Sequence, residues 1–173
     1  ATFTTLAGSA GLDGMVNDTA GLARFNLPTG VAVDSAGNSY VADSFNDVIR
    51  KIAPTGAVTT FASGFIGPKG VAVYENLGEV YVLVADYGNH VIRKITASTS
   101  VVSTLAGLLG NSGWVDGTGT GAKFNNPEGI AVDGLGNVYV ADTQNHTIRK
   151  ITSSGVVTTL AGSAGNWGNT DAT

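Results

Sequence analysis

Residues 140–151 read Val140-Ala141-Asp142-Thr143-Gln144-Asn145-His146-Thr147-Ile148-Arg149-Lys150-Ile151, and two earlier stretches keep the same order. They are Val41-Ala42-Asp43-Ser44-Phe45-Asn46-Asp47-Val48-Ile49-Arg50-Lys51-Ile52 and Val84-Ala85-Asp86-Tyr87-Gly88-Asn89-His90-Val91-Ile92-Arg93-Lys94-Ile95. Each joins two short apolar runs through turn-forming residues, the pattern of two antiparallel strands. The similarity continues outward, since Ala23-Arg24-Phe25-Asn26-Leu27-Pro28-Thr29-Gly30 returns as Ala122-Lys123-Phe124-Asn125-Asn126-Pro127-Glu128-Gly129, a shift of 99 residues. Pro68-Lys69-Gly70-Val71-Ala72-Val73 opens a third copy between them. One unit is therefore about 40–56 residues, the size of a propeller blade.

Within the first unit the apolar runs fall at 31–33, 40–42, 48–52 and 58–61, separated by Asp34-Ser35-Ala36-Gly37-Asn38 and Pro54-Thr55-Gly56. Gly and Asn tolerate the positive φ of tight hairpins, and no stretch shows a helical period. The expected fold class is all-β. Three four-stranded antiparallel blades of a β-propeller are expected over 28–63, 68–107 and 127–162, followed by a linker over 163–173. Phe3 through Gly11 nearly duplicates Val157 through Gly165. It predicts an extra N-terminal outer strand over 2–8.

The three Ala-Asp-x-x-Asn stretches resemble the NHL repeat, named for its Asn-His-Leu core, and the resemblance covers nearly the whole chain. The first copy has Asp47 where the family has His, and none has Leu in the third place. The resemblance implies propellers that commonly have six blades, of which three form half. Its relatives include metal-dependent lactonase-like hydrolases and an amidating lyase. A half-propeller leaves two apolar flanks open, so the expected partner is a second copy, a homodimer closing a six-bladed ring. The alternative is a segment excised from a longer array, to which the opening Ala1-Thr2-Phe3, without an initiator Met, also points.

Nine basic against 13 acidic residues give a formal net charge of -4, and the basic ones are scattered. That excludes the clustered footprint of nucleic-acid binding. No apolar run is long enough for a membrane helix, and with no Cys there is neither a disulfide framework nor a thiolate site. The low lysine content and a Gly/Thr/Ser-rich surface lean toward a secreted or periplasmic setting.

Alternating strand direction puts the Ala-Asp-x-x-Asn turns and the linkers 7–28 and 106–127 on one loop-rich face, where a rigid scaffold builds binding sites. The candidate binding residues there are Trp114, Asp116, Phe45, Tyr87, Asn89, His90, Asn145 and His146, with Trp167 as a further exposed aromatic. Asp43 with Arg50, Asp86 with Arg93, and Asp142 with Arg149 recur at a seven-residue spacing and are read as structural ion pairs. Two equivalent histidines on separate blades do not make a metal site, and Asp13 and Asp116 lack the carboxylate density of a calcium loop. No metal and no cofactor are expected. The sequons Asn17-Asp18-Thr19 and Asn145-His146-Thr147 are short patterns that arise by chance.

With three Glu and no Cys, the chain offers no nucleophile–base–acid set. The expected function is a non-catalytic binding or scaffolding module for a protein or glycan ligand. The alternative is part of a metal-dependent propeller hydrolase or lyase.

Overall fold

The computed structural model describes residue 2, residues 4–166 and residue 168. Trp167 lies outside them. Strands β1 (Pro28–Val33), β2 (Ser39–Asp43), β3 (Val48–Ile52) and β4 (Val58–Ser63) form the first antiparallel sheet in that spatial order. The second contains β5 (Pro68–Asn76), β6 (Glu79–Asp86), β7 (Val91–Thr96) and β8 (Val101–Ala106). The third runs β10 (Pro127–Val132), β11 (Val138–Asp142), β12 (Thr147–Ile151), β13 (Val156–Gly162), with the two-residue β9 (Gly117–Thr118) outside β13. These are three propeller blades stacked face to face, with innermost strands side by side.

The glycines of the innermost strands explain how closely the blades approach. In each blade the register between first and second strand slips after the Pro, between Pro28 and Val31, Pro68 and Val71, and Pro127 and Ile130. The slip brings Gly30 against the Lys69 carbonyl and Gly70 against the Glu128 carbonyl. A β-carbon at either place would collide with backbone that cannot step aside.

The core lies between blades rather than inside one. Ala42, Ile49 and Ala62 of blade one meet Phe65 of the connecting loop and Val71, Val82 and Val84 of blade two. Ala85, Ile92 and Ala106 of blade two meet Phe124 of the next linker and Val138, Val140 and Val157 of blade three. Complete burial of an Ile or Phe side chain contributes roughly 1.5–3 kcal/mol, so each junction is held mainly by its aromatic wedge and flanking aliphatics.

Two expectations need correction. Among the described residues at 2–8 there is no outer strand. That segment is tied to the linker by the Gly8 amide donating to the Ala20 carbonyl at 2.9 Å, and by Ala7 packing near Phe25. A strand needs a neighbouring strand to satisfy its backbone, and among the described residues no strand stands beside it. Nor do the long linkers stay on the loop-rich face. Residues 107–126 descend beside β13, pair there as β9, and climb back to the start of β10. The first linker does the same more loosely, with a bridge between Thr19 and Ala57 and the Val58 amide donating to the Asp18 carbonyl at 2.8 Å. Covering the open edge of an outer strand removes a site of unwanted pairing.

Candidate functional site

Each second strand ends in an Asp, followed by one 3₁₀ turn: Ser44–Asn46, Tyr87–Asn89 or Thr143–Asn145. The next residue is left-handed, at φ 56° for Asp47, 58° for His90 and 57° for His146. Asp and His enter that region more readily than most residues, and it turns the chain into the third strand.

The polar groups of this turn are spent on holding it. Asn46, Asn89 and Asn145 donate through Nδ2 to Oδ2 of Asp43, Asp86 and Asp142 at 2.8, 2.9 and 2.8 Å. The other carboxylate oxygen accepts the backbone amide of Asn26, Ile66 or Asn125 at 2.7, 2.9 and 2.7 Å. Each Asp thus clamps the loop that enters its own blade. All three are fully buried.

Arg50 and Arg149 are fully buried as well and donate to Asp43 and Asp142 at 2.9 and 2.8 Å. The guanidinium also reaches linker carbonyls, Arg24 and Val16 for Arg50 and Lys123 and Val115 for Arg149. Its plane lies over Phe25 or Phe124, 4.9 and 5.0 Å from the ring centroid. Asn17 and Asp116 complete the two shells, each accepting from Nη2 at 2.8 and 2.7 Å. Burial raises the Asp142 pKa even with hydrogen bonds from Asn125, Asn145 and Arg149 opposing it.

Asp86 and Arg93 depart from the expected pairing, for no ion pair forms between them among the described residues. Residues 64–67 form a loop too short to bring carbonyls to Arg93, which instead donates to Thr104 Oγ1 at 3.0 Å. Burial raises the Asp86 pKa as well.

Asp116 also needs correction as a binding residue, because its carboxylate bridges Arg149 and Thr159. Burial opposes ionisation of Asp116, but hydrogen bonds from Thr159 and Arg149 outweigh it and lower its pKa. His90 Nδ1 accepts the Asn126 amide at 3.1 Å, and Asn145, at 2% exposure, donates to the Gly113 carbonyl. Asn89, Asn145 and His90 therefore belong to the scaffold, and the Asn145 sequon is not accessible. Tyr87 is half-buried under Lys69, 5.4 Å away. His146 stays exposed.

Trp114 and Phe45 remain as presented aromatics, 66% and 67% exposed. The backbone on either side of Trp114 is pinned, with the Gly113 amide donating to Phe124, its carbonyl accepting from Asn145, and the Val115 carbonyl accepting from Lys123 and Arg149. Phe45 rides a 3₁₀ turn whose amide donates to the Asn26 carbonyl at 3.1 Å.

A second polar cluster was not singled out from sequence. Asp34 and Asp133 each accept from an Asn amide and side chain and from a Tyr hydroxyl, Asn38 with Tyr40 and Asn137 with Tyr139. Its signal was the repeated Asp-x-x-x-Asn-x-Tyr. Among the described residues no group of three or more His, Asp or Glu is placed to hold a metal ion.

Fold and turns together define a set of β-propeller blades closed by a repeated Asp-x-x-Asn clamp. The NHL repeat family model matches residues 124–151, from the end of the second linker through β12. NHL repeat-containing protein 2 of Gallus gallus is 51% identical over 53 residues, which are 30% of this chain and 7% of that protein. The chain thus spans a small part of that relative. Among solved structures, an auxiliary nutrient binding protein from Bacteroides ovatus is similar at a TM-score of 0.66 and 24% identity, over 82% of this chain and 38% of that one. A gluconolactonase from Xanthomonas campestris is similar at a TM-score of 0.59 and 13% identity, over 79% and 48%. These structural likenesses are of fold.

Proposed function

We propose that the chain is a non-catalytic binding or scaffolding module whose recognition surface is the loop-rich face, with Trp114 and Phe45 as its anchors and a protein or glycan as ligand. The observation that carries this reading is the division of labour on that face. Buried Asp, Asn and Arg side chains fix the backbone, and two large aromatics are held out from it. Preorganised aromatics carry much of the energy of macromolecular interfaces because little conformational freedom is lost on contact. The lactonase likeness raises a second reading, a share of a metal-dependent propeller enzyme. That reading needs metal ligands supplied by residues other than those described.

Screening the chain against immobilised polysaccharides and polypeptides, with metal analysis of the same preparation, separates the two. The binding reading expects capture by one class of surface without a bound metal. A stoichiometric divalent metal together with lactone hydrolysis would overturn it.

A further inference from the structure

We infer that the trailing face of blade three is a socket for the leading face of blade one of a second copy, so that two copies join head to tail. The inference stands apart from the proposed anchors Trp114 and Phe45, because the groups involved, His146 excepted, lie on the blade flanks.

Both junctions inside the chain use three matching contacts. A glycine of the innermost strand receives a carbonyl from the next blade: Lys69 at Gly30, Glu128 at Gly70. The left-handed turn residue accepts the amide preceding the next Pro. Asp47 Oδ1 takes that of Gly67 at 2.7 Å, and His90 Nδ1 that of Asn126 at 3.1 Å. An aromatic from the connecting segment covers an Ala-Ile-Ala patch, Phe65 in one junction and Phe124 in the other.

Blade three carries the same three receptors, and among the described residues nothing occupies them. Gly129 meets only Ala141 Cβ, His146 is exposed, and Ala141, Ile148 and Ala161 line an open pocket. Ile148 is 41% exposed, whereas its counterparts Ile49 and Ile92 are at 0%. Blade one carries the matching donors, with Thr29 in the place of Lys69 and Glu128, Leu27 in that of Gly67 and Asn126, and Phe25 in that of Phe124.

Two further observations point to the same occupant. Leu27 is held at φ 47°, beside 54° for Gly67 and 50° for Asn126, so its amide already has the conformation that the other two use at a junction. A bulky residue in that region is uncommon and strained. Val31 and Val33, at 64% and 59% exposure, stand uncovered where Val71 is buried against blade one. Knob and socket thus occur at opposite ends of one chain, the arrangement that closes a head-to-tail pair.

Residues 4–8 set the condition for closure. Gly8 donates to Ala20 as Gly107 donates to Gly119, so this segment sits where the last strand of the incoming blade belongs. Among the described residues it forms no strand pairing there, whereas β13 is fixed by β9 and Asp116. On docking, the N-terminal segment gives way.

Sedimentation equilibrium of the full chain over a range of concentrations tests this. The expected mass is twice 17.4 kDa. Ile148→Glu places a charge in the socket and Gly129→Ala a methyl against the incoming carbonyl. Each is expected to weaken association about tenfold or more with circular dichroism unchanged. Trp114→Ala is expected to leave the dimer intact, which keeps this result separate from any failure of the proposed binding face. A folded monomer at every concentration, a mass other than two copies, or a dimer indifferent to both socket variants would overturn the inference.

Discussion

Arg149 and Asp116 lie 33 positions apart, one in the middle of a blade and one in the linker before it, and meet at 2.7 Å while the same guanidinium holds Asp142 at 2.8 Å. The two partners contribute unequally. Asp116 has a half-exposed side chain and Asp142 a fully buried one. Asp116→Ala is expected to cost about 1 kcal/mol, as for a solvent-screened pair. Asp142→Asn removes the fully buried one of the two counter-charges of Arg149 and is expected to cost about 3 kcal/mol. Urea unfolding of both variants checks the order; equal losses would contradict it.

Asp86→Asn is the internal control. No Arg pairs with Asp86, so its neutralisation removes one hydrogen-bond acceptor and no ion pair. The expected loss is about 1–3 kcal/mol, below that of Asp142→Asn. A loss as large as at Asp142 would mean that Arg93 acts on Asp86 more strongly than its geometry indicates.

How far the sequence reaches depends on which contacts local spacing determines. Asp43–Arg50 and Asp142–Arg149 were legible because antiparallel pairing makes a seven-residue spacing a contact. Asp86–Arg93 has the same spacing and fails because the loop before blade two is short, and loop length decides what surrounds an Arg. The descent of the linkers was hidden in Gly-rich segments without periodicity. Its trace was the alignment of Val16-Asn17 with Val115-Asp116 at the 99-residue shift. The scaffold role of Asn145 and His90 was not legible, since a turn residue buried by the linker or by the next blade has the same local sequence as an exposed one.

Asp133 makes acid stability testable. The hydrogen bond from the Asn137 side chain, joined by others from the amides of Asn137 and Leu135 and the Tyr139 hydroxyl, outweighs the opposing desolvation and lowers its pKa to about 2. A carboxyl whose folded pKa lies below its unfolded value stabilises the fold above the unfolded pKa, and that contribution disappears as pH falls toward the folded one. Between about pH 4 and 2 the wild type is expected to lose stability more steeply than Asp133→Asn. Parallel thermal melts across that range check this, and identical slopes would contradict it.

Glycine at the blade junctions should be position-specific. Gly70→Ala drives a methyl into the Glu128 carbonyl and is expected to destabilise by about 3 kcal/mol, while Gly129→Ala needs only Ala141 to yield slightly. Differential scanning calorimetry of the two variants should show a clearly larger fall in the transition for the first, with only the smaller fall due to weakened association for the second.

The central claim is that the face carrying Trp114 and Phe45 recognises a ligand while the polar residues beneath it hold the fold. The most direct measurement is the affinity of the double variant Trp114→Ala, Phe45→Ala for the immobilised polypeptide or polysaccharide that captures the wild type best, with melting temperature recorded on the same samples. The account predicts a loss of about 30-fold or more, some 2 kcal/mol, with melting unchanged. Undiminished binding by the double variant would contradict it.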